Sequence, residues 1–373
     1  MFKSLELGND FFYPMRKPLF LSICIVAVFF GGILYCPVLN GIQKPEWQGK
    51  IEYENGVEVI KNPNEPQYGE ITFELVEDLL IEDKDGKDYF FQWLCDIDVD
   101  SDGNIYVLDR QQHKAYIFDK LGNYIKAIGG KGQGPGEFNT PTRIVVDGKD
   151  RINVLAKRRL HLFDNNADFI KSINFNFSVF SCSLTENGNI LAQSNEIGPK
   201  GASQRIYALN PEGNKTKTID EQSTSMEKLK NPSPTTGFGP MLYLSPLDKE
   251  NSIYGNSAEY RLYVIDSSGN KVRIIERDES QKRELYFYGL FTNEDGLIFV
   301  NRWGIVSEKG EPTSLDIFNI KGHYIYKAYT NGTNTKTIKA GYLYTLEMDS
   351  DNSAQYVKRY KIKNWDRIKE REI

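Results

Sequence analysis

Ile128-Gly-Gly-Lys-Gly-Gln-Gly-Pro-Gly-Glu-Phe138, followed by Pro141-Thr-Arg-Ile-Val-Val-Asp147, is the stretch on which the reading of this chain turns. A glycine-dense loop separates two short units rich in β-branched and aromatic residues, which favour strands. The G-x-G-x-G spacing is followed by neither a Lys-Ser/Thr pair nor a helical pattern. A phosphate-binding loop is therefore excluded, and the βαβ context of a dinucleotide fingerprint is missing. What remains is a connector between two β units of the same kind.

Working outward, the same unit recurs. Asp119-Lys-Leu-Gly122 has the form of a turn opened by an Asx side chain and closed by glycine at positive φ. Asn210-Pro-Glu-Gly213, Asp266-Ser-Ser-Gly269 and Asn319-Ile-Lys-Gly322 repeat it, and Asp164-Asn-Asn-Ala167 is a degenerate copy. The first two intervals, Gly122 to Ala167 and Ala167 to Gly213, are 45 and 46 residues. A second turn family precedes these: Asp100-Ser-Asp-Gly103, Glu186-Asn-Gly188 and Asn293-Glu-Asp-Gly296. Each is followed by a strand, such as Ile105-Tyr-Val-Leu108 or Leu297-Ile-Phe-Val300. Four strands per unit at this period are the signature of propeller blades.

Five units begin near Trp93, Thr142, Phe180, Met241 and Tyr286. A sixth has three strands, within 337–361, and lacks its fourth. The run Ile71–Val76 at the other end of the domain is free to supply it and so remove two exposed sheet edges. The expected fold is all-β: a six-bladed β-propeller of four-stranded antiparallel blades, preceded by an N-terminal transmembrane or signal helix. The expected divisions are a cytoplasmic stub and anchor over 1–39, a polar tether over 40–67, the propeller over 68–362 and a charged tail over 363–373.

Composition agrees. Tyr (22) and Phe (21) are abundant, and the formal charge of −5 leaves no basic excess to neutralise phosphates, so no nucleic-acid partner is expected. Four cysteines without paired spacing and three scattered histidines argue against a disulfide framework or a zinc site. The run Leu19–Leu34 is uncharged and follows Arg16 and Lys17 directly. It predicts a signal-anchor with the N-terminus inside and the body on the extracytoplasmic, periplasmic side of an inner membrane. The alternative is cleavage, with or without lipid on Cys36, giving a secreted or lipid-anchored protein.

The residues Asp100-Ser-Asp-Gly-Asn-Ile-Tyr-Val-Leu-Asp109, Ile117-Phe-Asp-Lys-Leu-Gly-Asn-Tyr124 and Gly132-Gln-Gly-Pro-Gly-Glu-Phe138 with Pro141 resemble the NHL-related six-bladed propellers of bacterial secreted and membrane-anchored proteins. The resemblance is good over 93–170 and readable from 68 to 362. It implies the fold. For function it implies a range: peptide lyases, sugar-lactone hydrolases, sensors and binding modules.

Two groups of residues are candidates for chemistry. Asp98, Asp100 and Asp102 alternate before Gly103, with Asp109 further on, as in the start of a calcium loop. The competing reading is turn chemistry alone, since residues 104–108 form a strand pattern and no helix follows; no other cofactor is expected. The second group is Arg110, Arg158, Arg261, Arg302 and Trp303 in loops joining second and third strands, with Arg143 at the start of an innermost strand. These loops share one face of a propeller, and Arg forks with aromatic surfaces suit carboxylates. The expected function is a membrane-tethered binding module for an anionic small molecule, sugar, peptide or protein partner. The alternative is a metal-assisted lyase or a lactone or ester hydrolase acting in the channel.

Overall fold

The computed structural model describes residues 45–82, 88–231, 239–279, 283–302, 314–330, 336–351 and 353–369. The segment expected to anchor the chain, including Arg16, Lys17 and Leu19–Leu34, lies outside the described residues, as does Trp303. Among the described residues no helix is long and apolar enough to cross a membrane.

Four strands come first: β1 (Lys50–Glu54), β2 (Val57–Asn62), β3 (Glu70–Thr72) and β4 (Leu75–Glu82). Six antiparallel sheets follow. The first blade is β5 (Leu94–Val99), β6 (Ile105–Asp109), β7 (Lys114–Phe118) and β8 (Tyr124–Gly129). The second is β9 (Pro141–Val146), β10 (Ile152–Ala156), β11 (Arg159–Phe163) and β12 (Phe169–Asn174). The third is β13 (Val179–Leu184), β14 (Ile190–Gly198), β15 (Gly201–Leu209) and β16 (Lys215–Ser225), with the short helix α1 (Met226–Lys230) after it. The fourth is β17 (Leu242–Pro246), β18 (Ser252–Asn256), β19 (Arg261–Ile265) and β20 (Lys271–Arg277). The fifth is β21 (Phe287–Thr292), β22 (Ile298–Arg302), β23 (Ser314–Phe318) and β24 (Tyr324–Tyr329). The sixth is β25 (Thr337–Lys339), β26 (Tyr342–Met348) and β27 (Gln355–Ile362), before a last helical turn, α2 (Asp366–Lys369).

The innermost strands touch in sequence, β5 to β9, β13, β17, β21 and β25, and β25 returns to β5, so the ring is closed with six blades. Each neighbouring pair of blades encloses its own apolar cluster. Strand alternation feeds two of them at once. On β6, Ile105 and Val107 enter the core shared with the sixth blade, while Tyr106 and Leu108 enter the core shared with the second. This double burial explains why the second strands read as unbroken apolar runs. The Asx turns form as expected: the Asp119 carboxylate accepts from the Leu121 and Asn123 amides, and Gly122 has φ 81°. Ala167, in the degenerate copy, is held at φ 63°, a position other copies give to glycine.

The closure differs in detail from the expectation. The fourth strand of the sixth blade is β4, paired antiparallel to β27 from Leu75↔Ile362 to Glu82↔Tyr356. Ile71 and Thr72, the start of the run expected to close the ring, belong to β3, which instead pairs in parallel with β24 as a fifth strand of the fifth blade. Apolar alternation marks both as strands, but the choice of partner depends on where the chain arrives after crossing the previous blade.

The segment 40–67, expected as a tether, is structured over much of its length. β1 and β2 form a hairpin, and β2 pairs in parallel with β20 to widen the fourth blade to six strands. Asn62 holds it in place. Its Oδ1 accepts from Trp47 Nε1 at 2.9 Å and from the Tyr324 amide at 2.7 Å, and its Nδ2 donates to the carbonyls of Glu276 and Gly322. Trp47 also stacks on His323 at 4.0 Å. Residues 363–369, expected as a charged tail, carry Trp365 and Ile368 into the core between the fifth and sixth blades, beside Phe73 and Phe299. Their charged neighbours conceal an apolar spacing of one helical turn.

His161 on β11 is 1% exposed; its Nδ1 lies 3.1 Å from Ser172 Oγ, and its ring meets the Phe138 ring edge-on. Burial, then the charge of Arg159, pushes its pKa down to about 4. The unfolded chain takes up this proton near pH 6.5, before the native state does, so stability falls as pH drops from there toward 4. The loss reaches about 3 kcal/mol at roughly 1.4 kcal/mol per pH unit. His161→Gln should shrink the difference in urea midpoint between pH 7 and pH 4.5, and an unchanged difference would place the acid sensitivity elsewhere.

Candidate functional site at the channel mouth

Second-to-third-strand loops and inter-blade loops share the upper face. The inner strands reach it through a repeated irregularity. In blades one, two, three and five, the register against the second strand skips one residue: Cys95, Thr142, Phe180 and Tyr288. Such bulges bend a strand and re-aim a side chain. All four are at least partly exposed, Phe180 to 46%.

Just below, charged side chains line the inner strands. Asp96 on β5 accepts from the Ile144 amide at 2.9 Å, and Asp98 from the Val146 amide at 2.8 Å, so the two carboxylates clasp the first blade to the second. Burial raises the pKa of both, against the pull of Arg143 on Asp96 and of Lys339 on Asp98. Lys339 Nζ lies 3.8 Å from Asp98 and donates to the Val99 carbonyl. Arg143 Nη1 is 3.6 Å from Asp96, and its side chain remains 42% exposed. The thiols of Cys95 and Cys182, on β5 and β13, are pushed up to about 12 by burial, so both stay protonated at neutral pH. Neither is a thiolate nucleophile.

The six residues proposed to bind do not behave as one set. Arg302 forks onto Glu279, with Nη1 at 2.6 Å and Nη2 at 3.2 Å, and lies 3.5 Å from Asp316. Asp316 is fully buried and also takes Arg277 at 2.5 Å and the hydroxyls of Tyr260 and Tyr324 at 2.5 and 2.8 Å. Arg261 is ion-paired with Glu54 of the N-terminal hairpin and, at 3.0 Å, with Glu276. A cleft of about 440 Å³ opens beside this network, but its arginines already have carboxylate partners. By contrast, Arg110 lies over the exposed Trp93 ring at 5.2 Å, and Arg158 is exposed and engages no side-chain partner among the described residues. Arg110, Arg143 and Arg158 therefore remain available, all on the first two blades.

The four residues of the expected calcium loop are not brought together. Asp100 accepts from the Asp102 and Asn104 amides and from Tyr106 Oη, and Asp109 from the amides of Gln92, Trp93, Gln111 and Gln112. Asp98 faces the second blade, and Asp102 is exposed on the lower turn. The four carboxylates point to different ends of the blade, because β6 separates Asp100 from Asp109. Among the described residues, no group of three or more His, Cys, Asp or Glu is placed to hold a metal ion. The glycine-rich loop joins the first blade to the second. It folds over the buried Phe138, and a Cβ on Gly129 would meet that ring at 2.4 Å.

Sequence reasoning missed Asp96, Phe180 and the Glu279–Asp316 pair. Asp96 had a signal, being polar at an alternate position of an apolar inner strand. The Glu279–Asp316 pair had none, because its residues come from two blades.

A family model described as a domain of unknown function, DUF4934, matches residues 94–245. No curated protein matches the chain. Among solved structures, a member of the DUF4221 family from Bacteroides vulgatus aligns over 78% of this chain and 99% of its own, at 13% identity and a TM-score of 0.51. A Bacteroides fragilis protein whose name proposes export aligns over 82% of this chain and 99% of its own, at 14% identity and a TM-score of 0.49. The protein is thus a six-bladed β-propeller.

The two kinds of arginine should separate in a melting experiment. Arg302→Ala leaves Glu279 and Asp316 buried without one cation and should cost about 3–5 kcal/mol. Arg143→Ala breaks a half-exposed pair and should cost no more than about 1 kcal/mol. Equal losses in thermal or urea melts would contradict the division.

Proposed function

We propose that the upper channel mouth over blades one to three captures an anionic ligand outside the cytoplasm, with the chain held at a membrane by its N-terminal segment. The observation that carries this is Arg143. It sits on an innermost strand, half exposed, with one carboxylate neighbour at 3.6 Å that is itself engaged by the Ile144 amide. Arg110 and Arg158 add positive charge, and Trp93 and Phe180 add exposed aromatic surface, Trp93 at 52%. Guanidinium forks and ring faces suit carboxylates carried on a peptide or a uronic sugar. No nucleic-acid role is proposed.

The test is titration of the full-length protein in detergent with hexaglutamate and with hexagalacturonate. A charge-assisted hydrogen bond is worth about 1.5–3 kcal/mol, so Arg143→Ala should weaken binding by roughly tenfold or more. Lys120→Ala and Lys321→Ala, in turns of the lower face, should leave it unchanged. Equal losses from both faces, or no binding by either oligomer, would refute the assignment.

For location, Arg16 and Lys17 ahead of the uncharged run Leu19–Leu34 favour an extracytoplasmic body. Protease added to cells with a permeabilised outer envelope should digest the propeller. Protection until the inner membrane is lysed would reverse the orientation.

A further inference from the structure

In blades one, two, four and five the second strand ends level with the first: Asp109 opposite Leu94, Ala156 opposite Pro141, Asn256 opposite Leu242, Arg302 opposite Phe287. The third blade departs from this, as does the sixth, where β26 runs on to Met348 although β25 begins with Thr337 opposite Tyr344. β13 stops with Val179 opposite Ser194, but β14 and β15 continue for four more pairs, from Asn195↔Gln204 to Gly198↔Gly201. β16 follows to Ser225 opposite Gly201. A three-stranded extension thus continues past the upper end of β13 by roughly 14 Å at 3.4 Å per residue.

The extension is braced. Arg205 on β15 binds Glu196 of β14 at 3.1 Å and Glu221 of β16 at 2.8 Å, tying the three strands together. Gln204 Oε1 accepts from the Leu242 amide and fixes its base to the fourth blade. β15 is paired on both sides and β16, the outermost strand of the blade, on one. From residue 195 to 198, however, the edge of β14 toward the axis has no strand beside it among the described residues. Every second N–H and C=O there is open for a further ladder. Edge strands are ordinarily blunted by lysine, proline or a bulge. Over 195–198 this edge carries none: Asn195, Ile197 and Gly198 are exposed and uncharged, Ile197 to 77%, and Glu196 is turned to Arg205, which it shares with Glu221.

What lies next to that edge chooses the occupant. Phe180, beside the last paired residue of β13, is exposed, and Arg143 lies on β9, the inner strand packed next to β13. Arg158 and Lys157 are exposed at the top of the second blade, and Lys200 at the tip of the extension. An open backbone edge flanked by free cations fits an extended peptide bearing carboxylates.

We infer that the inner edge of β14 over 195–198 takes up an acidic peptide as an added strand, its side-chain carboxylates reaching Arg143 and Arg158. This rests on the anion-capture reading above and narrows it to a peptide. Main-chain bonds to the edge supply affinity, and the cations select the side chains.

The probe is acetyl-Glu-Val-Glu-Val-Glu-Val-amide, titrated into full-length protein in detergent beside six versions that each carry one N-methylated residue. Strand addition predicts a period of two. Methylation at alternate residues should weaken binding by about tenfold, the loss of one backbone hydrogen bond with its partner left unsatisfied, and methylation between them should do little. A second variant removes Glu196–Ser203 and rejoins the strands through an Asn-Gly turn. It should lose peptide binding while keeping its melting temperature and any Arg143-dependent binding of hexagalacturonate. Peptide binding that needs Arg143 but ignores N-methylation at every position would overturn strand addition and leave anion capture standing. Unaltered peptide affinity in the shortened variant would overturn it too. No binding of either probe would remove both readings.

Discussion

A propeller buries both faces of every sheet, so each blade is stable only while it has a neighbour on each side. The chain is linear, and one interface must be made by its two ends. Here β4 makes it, hydrogen-bonded to β27 across a separation of more than two hundred and fifty residues. That strand carries the buried Ile81 into the core between the sixth and first blades, together with Tyr344, Val357 and Phe118. All six interfaces depend on this pairing, because an opened ring would expose an apolar face at each end. Contacts of such sequence separation form slowly, since loop-closure entropy precedes the reward.

The chain does more at this seam than closure requires. On its way to β4 it lays β1 and β2 along the fourth blade and β3 along the fifth, covering two outer edges. Asn62 satisfies its full amide against both blades, and Arg277 reaches the Asn64 carbonyl at 3.0 Å. The N-terminal strap and the buried Arg277–Asp316–Arg302 network therefore share one region. The strap stabilises that side of the ring, where the arginines are paired with carboxylates, while the opposite side, over blades one to three, carries the less engaged Arg110, Arg143 and Arg158 and an unpaired strand edge.

Burial decides what each arginine does. An arginine inside the ring must bring carboxylates with it, because a buried charge without a partner costs several kcal/mol. Arg277 and Arg302 obey that rule through Glu279 and Asp316. An arginine at the rim is solvated and needs no partner, as with Arg158. Arg143 is intermediate, half exposed with one carboxylate nearby.

The sequence by itself determined the repeating unit, because turn chemistry and strand alternation are local. Asp119 to Gly122 and its copies close their own backbone bonds, and the period between them counts the blades. The role of the glycine-rich loop was legible for the same reason. Only the tertiary structure decided partners. Residues 70–72 and 75–82 are equally good strands, and which of them closes the ring depends on the path across the fifth blade. Arg110 and Arg302 both lie at the upper ends of second strands, yet one stacks on Trp93 and the other is locked to Glu279 and Asp316, which lie 23 residues upstream and 14 downstream of it. Ion pairing between blades leaves no local pattern, since the charges that neutralise each other meet only when the ring closes.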